Sequence, residues 1–163
     1  MNPVKRQLEF LGRNEIECVI VGGVAGTLYG LSIPTTDLDV CYSRTGENLE
    51  KLAAALKTVN ARLRNAPADI PFLLEAETLH RGLNFTFVTE VGDIDLLGEV
   101  RGIGYYEDAV KGASTFELLG FQFKVIALDK LTVAKRTAGR PKDLIALAEL
   151  EALLEAKERR AEE

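Results

Sequence analysis

The chain has 163 residues, 47% of them hydrophobic, enough for the core of one domain. A formal charge of −5 and a pI of about 5.1 exclude the broad basic footprint of a dedicated nucleic-acid binder, so any nucleic acid must be held by a local patch. No apolar run approaches the about 20 residues of a membrane span, and Met1-Asn2-Pro3-Val4-Lys5 lacks the apolar core of a signal peptide, so a cytoplasmic protein with no membrane partner is expected.

In chain order, a helix is predicted over 3–13, with Leu8 and Leu11 on one face and Gly12 near its end. Residues 17–21 form a short apolar run rich in β-branched side chains, the pattern of a buried strand. It ends in Gly22-Gly23 and passes into a short helix over 23–30, followed by a strand over 37–42. Residues 47–63 read as one amphipathic helix, with Leu49, Leu52, Ala53, Leu56, Val59 and Leu63 at helical spacing, a packing stripe. A loop over 66–74 carries Pro67 and Pro71, and a short helix over 75–79 follows. Strands are predicted over 84–89 and 93–97, joined through Gly92, then a glycine-rich loop over 98–104. A hairpin turns at Gly120, helices cover 128–138 and 141–159, and residues 157–163 form a solvated end. No repeat, low-complexity linker or composition break divides the chain. The expectation is a single α/β (α+β) domain over residues 1–163, a mixed sheet flanked by helices. Cys18 and Cys41 fall inside predicted strands and read as reduced core residues, and the single histidine, His80, lies at a helix end with no partner set for catalysis.

The chemistry is concentrated in the run Thr36-Asp37-Leu38-Asp39-Val40. Alternate residues of a strand share a face, so Asp37 and Asp39 project together while Leu38 and Val40 face the core. Two carboxylates held side by side repel each other, a costly arrangement unless a cation sits between them. Mg²⁺ suits such an all-oxygen site and leaves room for waters and substrate phosphates. The same alternation recurs at Asp93-Ile94-Asp95. Carboxylates from two neighbouring strands can hold two metal ions roughly 3.5–4 Å apart, the separation used for in-line phosphoryl chemistry.

Two further features face the same chemistry. A strand, the Gly22-Gly23 turn and a helix start let backbone N–H groups approach a phosphate closely. There is neither a G-x-G-x-x-G fingerprint nor a G-K-[ST] of a P-loop, so the weight of the pair lies in its position fourteen residues before Asp37. Downstream, Pro141 fits the first position of a helix with Arg140 as its N-cap. Lys135, Arg140 and Lys142 then converge with that helix start as a group suited to a triphosphate.

Gly22-Gly23, a short helix, Thr35-Thr36 and Asp37-Leu38-Asp39-Val40 resemble the signature of the DNA polymerase β-type nucleotidyltransferase superfamily. Within it the sequence is most similar to the AbiEii-like nucleotidyltransferases, toxins of type IV toxin–antitoxin systems. Lys135 followed by Gly139-Arg140-Pro141-Lys142-Asp143 strengthens the likeness, which spans about residues 15–150. The resemblance implies the nucleotidyltransferase fold. It implies that Gly22, Gly23 and Thr36 lie against the nucleotide, and that Asp37 and Asp39 ligate both metals. One of Asp93 and Asp95 supplies the third carboxylate, with Asp95 favoured by its apolar flanks Ile94 and Leu96. Lys135, Arg140 and Lys142 would hold phosphate.

The expected activity is therefore transfer of a nucleotidyl group from an NTP to an acceptor hydroxyl, with two Mg²⁺ (or Mn²⁺) ions. The acceptor is left open among a tRNA end, a protein hydroxyl and a small molecule such as an aminoglycoside. A toxin of this kind would have a cognate antitoxin as partner. The alternative is a non-catalytic nucleotide-sensing or partner-binding module, which would have no electrostatic reason to keep the repulsive Asp37/Asp39 pair. A metal-dependent phosphohydrolase is disfavoured because no His-Asp cluster accompanies His80.

Overall fold

Val19, Ile20 and Val21 are consecutive and all buried, as are Val40, Cys41 and Tyr42, so these strands lie inside a sheet covered on both faces. The computed structural model describes residues 3–67, 69 and 71–162. In order, the elements are α1 (Pro3–Arg13), β1 (Cys18–Val21), α2 (Gly22–Leu28), β2 (Leu38–Tyr42), α3 (Gly46–Thr58), β3 (Arg62–Leu63), α4 (Ala76–Arg81), β4 (Asn84–Thr89) and β5 (Gly92–Leu97). They continue as β6 (Glu99–Val100), β7 (Gly104–Tyr105), α5 (Tyr106–Ala109), β8 (Ser114–Leu118), β9 (Phe121–Val125), α6 (Leu128–Ala138) and α7 (Pro141–Glu162).

Seven strands form one mixed sheet in the order β3-β4-β5-β2-β1-β9-β8, while β6 and β7 make a separate ribbon. β1 pairs antiparallel with β2, and β2 pairs parallel with β5, placing Val21, Asp39 and Asp95 abreast. β9 joins the other edge of β1 in parallel, and its hairpin with β8 turns at Leu119 and Gly120, both at positive φ as a two-residue type I′ turn requires. The core is continuous: Leu38, Val40, Ile94 and Leu96 are each fully buried beneath the carboxylate-bearing strands. No helix among the described residues is long and apolar enough to cross a membrane. Cys18 and Cys41 are free thiols on adjacent strands, and burial pushes each up to about 12, so both stay protonated core residues.

Three expectations need correction. The helix predicted over 47–63 ends at Thr58; Asn60 takes a left-handed conformation (φ 49°), and Arg62–Leu63 pairs as a strand with β4. The helical spacing of Val59 and Leu63 is thus coincidence: Asn tolerates the left-handed region that breaks the helix, and sheet pairing claims the residues just beyond it. The glycine-rich stretch 98–104 is closed into the β6–β7 ribbon by the pairs Glu99–Tyr105 and Val100–Gly104. Finally, the last helix, predicted to end at 159, runs on through Glu162, and its end is exposed as expected. Within the predicted loop over 66–74, residues 68 and 70 lie outside the described residues.

One buried polar side chain locks the entry of β1 to the exit of β2. Asn48 donates to the carbonyls of Glu17 (3.0 Å) and Ser43 (2.7 Å) and accepts from the Glu17 amide (2.8 Å), clamping the entry of β1 to the exit of β2. Asn48→Ala would strand these buried groups and should lower unfolding free energy by about 2–3 kcal/mol, read by urea denaturation. A loss under about 0.5 kcal/mol would show that water replaces the side chain at no cost.

Candidate active site

The parallel pairing of β2 with β5 fixes the electrostatic character of this region. Asp39 and Asp95 are register partners, so their side chains emerge side by side on one face. Asp39 Oδ1 and Asp95 Oδ1 are both buried and neither has a hydrogen-bond partner. Burial raises the Asp39 carboxyl to about 8, reinforced by the Asp95 carboxyl beside it, while Lys135 pulls in the opposite direction. Asp37 lies one residue before β2, exposed, and lines the same cleft as Asp39 and Asp95.

Among the described residues no group of three or more His, Cys, Asp or Glu side chains is gathered to hold a metal ion. The donors nevertheless fit Mg²⁺. This ion is commonly held by one or two carboxylates, with waters and substrate phosphates completing the octahedron. Two abutting carboxylates with orphaned buried oxygens supply that minimum, and Asp37 stands at the mouth as a further oxygen donor.

Asp93 is placed differently. Its carboxylate pairs with Arg64 Nη1 at 3.0 Å, and its carbonyl accepts from Gln7 Nε2 at 2.6 Å, tying it to the residue just after β3 and to α1. It does not line the cleft that Asp37, Asp39 and Asp95 share.

The glycine turn is shaped by Asp39. Gly22 has φ +66°, and a Cβ there would collide with the Asp39 carboxylate, so both conformation and space demand glycine. A Cβ on Gly23 would press on Thr35, whose hydroxyl donates to the Asp37 carbonyl at 3.3 Å. Thr35 is thus the residue that covers the turn, whereas Thr36 is exposed. The first turn of α2 has no side-chain cap, leaving its backbone N–H groups available.

The basic residues reach the cleft from the α6–α7 junction. Gly139, left-handed at φ +63°, terminates α6 and reverses the chain into α7. Asp143, fully buried, gathers the junction: Arg140 Nε donates at 2.6 Å and Nη2 at 3.2 Å, and Lys135 Nζ stands 3.4 Å away. The Arg140 amide also donates to Asp143 Oδ2 (3.2 Å) and the Asp143 amide to the Arg140 carbonyl (2.9 Å), a reciprocal cap. Burial alone would raise the Asp143 carboxyl, but the Arg140 hydrogen bonds and Lys135 outweigh it and hold the group below its ordinary value. Lys142 is exposed and lines the cleft beside Asp37. Lys130 points elsewhere, donating to the Asp108 and Lys111 carbonyls. His80 is exposed on α4, where its carbonyl accepts from Arg44.

Asp143 is the residue that sequence reasoning passed over. Its place three residues after the N-cap reads as an ordinary dipole contact; that same spacing is the capping-box signal, and its burial could be known only from the fold. The cleft has two lobes that share Asp39, Lys135 and Arg140. One, about 190 Å³, is polar and holds Gly23, Asp37, Asp95 and Lys142. The other, about 220 Å³, runs between the sheet and α6 and is mostly apolar.

Comparison with known proteins returns no matching family model and no matching curated relative. Solved structures do match. A crystal structure of a candidate nucleotidyltransferase from Thermotoga maritima is 15% identical over 88% of this chain and 89% of its own, with a TM-score of 0.55. This chain has the nucleotidyltransferase fold. The antibiotic-resistance factor ANT(2'')-Ia is also similar, at 13% identity over 99% of both chains in a solution structure (TM-score 0.48). In a crystal with adenylyl-2''-tobramycin, the similarity to the same factor is 13% over 91% of this chain and 95% of that one (TM-score 0.47).

The raised Asp39 carboxyl has a pH signature. Between its ordinary 3.8 and about 8, the folded protein holds a proton that the unfolded chain has released. The contribution to stability is therefore complete below that window and is lost as pH rises through it. The wild type should lose thermal stability relative to Asp39→Asn from about pH 4 to about pH 8, and Mg²⁺ at pH 8 should recover part of the loss in the wild type alone. Parallel melting curves for the two proteins across that range, with no response to Mg²⁺, would show that the pair is neither strained nor metal-binding.

Proposed function

We propose that this chain is a metal-dependent nucleotidyltransferase that moves a nucleotidyl group from an NTP to an acceptor hydroxyl. The observation that carries the reading is the Asp39–Asp95 pair: two abutting carboxylates with unpartnered buried oxygens, facing a cluster of fixed cations across one cleft. Such a pair is expensive without a cation, and a cleft with carboxylates on one wall and cations on the other suits a metal–triphosphate.

Asp37, Asp39 and Asp95 would hold Mg²⁺, which when bound would lower the pKa of the acceptor hydroxyl and neutralise charge developing at the α-phosphate. The chain's own groups do the rest. Gly22 leaves room for the Asp39 carboxylate, and the uncapped first turn of α2 offers N–H groups on the phosphate side. Lys135 and Arg140, aimed by Asp143, would take the β- and γ-phosphates, with Lys142 at the rim. Rate then rests on position and electrostatics, with no covalent enzyme intermediate. Asp93, neutralised by Arg64, is assigned a structural role. The finer reading, a toxin that modifies tRNA and has a cognate antitoxin, rests on the likeness of the 128–144 segment to the AbiEii-like enzymes.

Incubation with each labelled NTP, Mg²⁺ and total tRNA or cell lysate, followed by identification of the labelled product, tests the activity and names the acceptor. No transfer to any acceptor, together with no NTP binding, would end the proposal. Asp95→Ala should abolish transfer and Asp93→Ala should weaken it less; the reverse order would exchange their roles. Lys135→Ala should raise KM for the NTP about tenfold or more with a smaller change in kcat, the cost of one charge-assisted contact of roughly 1.5–3 kcal/mol. An unchanged KM would return Lys135 to the role of a partner for Asp143.

A further inference from the structure

Two of the three carboxylates at the cleft are placed by the sheet, and the third is not. Asp39 is paired with Val21 on one side and Asp95 on the other, whereas β2 begins at Leu38, so Asp37 lies just outside the ladder. Its position is set by the segment that leads to it, residues 29–37 between α2 and β2. That segment is tied down at three points. Leu31 is buried, donates its amide to the Gly26 carbonyl at 2.8 Å, and packs so close to Gly26 that a Cβ there would meet its side chain. Thr35 donates to the Asp37 carbonyl and covers Gly23. Between them, Ser32 presents both its amide and its hydroxyl to one carboxylate, that of Glu149, at 3.0 Å to Oε1 and 3.1 Å to Oε2. Only Ile33 and Pro34 separate Ser32 from Thr35. The proline ring fixes its own φ and restricts the residue before it, so a shift at Ser32 is passed on to Thr35 rather than absorbed.

Glu149 comes from α7, 117 residues along the chain from Ser32. It stands about one turn beyond Ala146, which lines the polar lobe, and less than two turns beyond Asp143. One helix therefore holds both walls of the cleft: its first turn gathers the cations, and Glu149 holds the segment that bears Asp37. We propose that Glu149 is a positioning residue for Asp37, acting through Ser32 to set where this carboxylate stands relative to Asp39 and Asp95. The inference rests on the proposed metal-dependent nucleotidyltransferase activity and adds a residue to it. Neither Glu149 nor Ser32 lines the cleft, so the effect is on placement rather than contact. Both hydrogen bonds are charge-assisted, which makes them strong for their size. The contact is nevertheless at the surface, so it adds little to global stability and acts on the local order of residues 31–37. Mg²⁺ demands near-ideal octahedral geometry, so a ligand on a loose segment binds it less well than the same ligand held in place.

Amide hydrogen exchange, and Mn²⁺ binding followed by EPR, both on the intact chain without nucleotide, test this apart from turnover. In Glu149→Ala the Ser32 amide should exchange about tenfold or more faster, while the amides of β1 and β5 keep their protection. Mn²⁺ affinity should fall about tenfold, the lower end of what is lost with a contact that orients a metal ligand. Glu149→Gln keeps an acceptor for the Ser32 amide and a donor for its hydroxyl oxygen, and should stay within about twofold of the wild type. Ser32→Ala removes the hydroxyl contact alone and should weaken Mn²⁺ in the same sense by less. The deciding comparison uses an Asp37→Asn background, in which Asp39 and Asp95 remain to bind the ion. There Glu149→Ala should change Mn²⁺ affinity by less than about twofold, because the group it positions is gone. An equal loss in both backgrounds, or wild-type affinity in Glu149→Ala, would overturn the positioning role and leave the transferase reading standing. A wild type that binds no Mn²⁺ would overturn both.

Discussion

The in-register parallel pairing of Asp39 with Asp95 is the constraint around which the rest of the molecule is arranged. Two carboxyls that water would keep apart are fixed side by side, and their inner oxygens are cut off from solvent. The pair is held by what lies beneath it. Leu38, Val40, Ile94 and Leu96 alternate with the aspartates and are each completely buried, an association worth roughly 1.5–3 kcal/mol per side chain. Slipping β2 by one residue to relieve the carboxylates would turn Leu38 and Val40 out of the core. The core therefore enforces the strain. The price appears in the raised Asp39 carboxyl.

Asp143 solves a second problem, that of keeping Lys135 from curing the first one. Lys135 lies close enough to Asp39 to lower its pKa, and a lysine is a flexible point charge that would otherwise settle on the nearest bare carboxylate. A buried Asp143 that already accepts Arg140 also engages Lys135 at 3.4 Å and anchors it to the α6–α7 junction. Carboxylates and cations thus occupy opposite sides of one cleft without neutralising each other. Because Asp143 balances only one of the two cations it gathers, the junction retains net positive charge, to which Lys142 adds. This layout explains why Gly139 must take a left-handed turn: without the reversal, Arg140 and Lys135 could not reach the same carboxylate.

How much of this was legible in the sequence depends on the range of the forces involved. Patterns set by near neighbours were readable: the period-2 aspartates at 37, 39, 93 and 95, the strand–Gly-Gly–helix unit, and helices α1 and α6 to the residue. What was missed depends on partners distant in the chain. The flanks Ile94 and Leu96 favoured Asp95 over Asp93, but the ion pair that occupies Asp93 comes from Arg64, 29 residues away, and no local pattern announces it. Helical periodicity ran on through Leu63 because nothing local shows that β4 will claim Arg62 and Leu63. Thr36 stood nearer than Thr35 to the aspartates in sequence, yet it is Thr35 that packs over Gly23. The basic residues were recognised, but the buried Asp143 that orients them looked like any acidic residue in a first helical turn.

The acidity of the chain is consistent with the proposed anionic substrate once distance is considered. At physiological ionic strength the screening length is about 8 Å, so most of the net −5 acts on the solvent around the protein rather than on a group in the cleft. What a triphosphate would meet is local: Asp37, Asp39 and Asp95 on one side, Lys135, Arg140 and Lys142 on the other. On the proposed function the two sides are unequal partners. The cations alone would favour the phosphates, but the carboxylates would repel the α-phosphate where transfer must occur. A divalent ion reverses that repulsion, so metal and nucleotide should each bind better in the presence of the other, a reciprocity that linkage requires. A protonated Asp39 would relieve the same repulsion without supplying a metal site. On the proposed function, acidic conditions should therefore favour the nucleotide while disfavouring the ion.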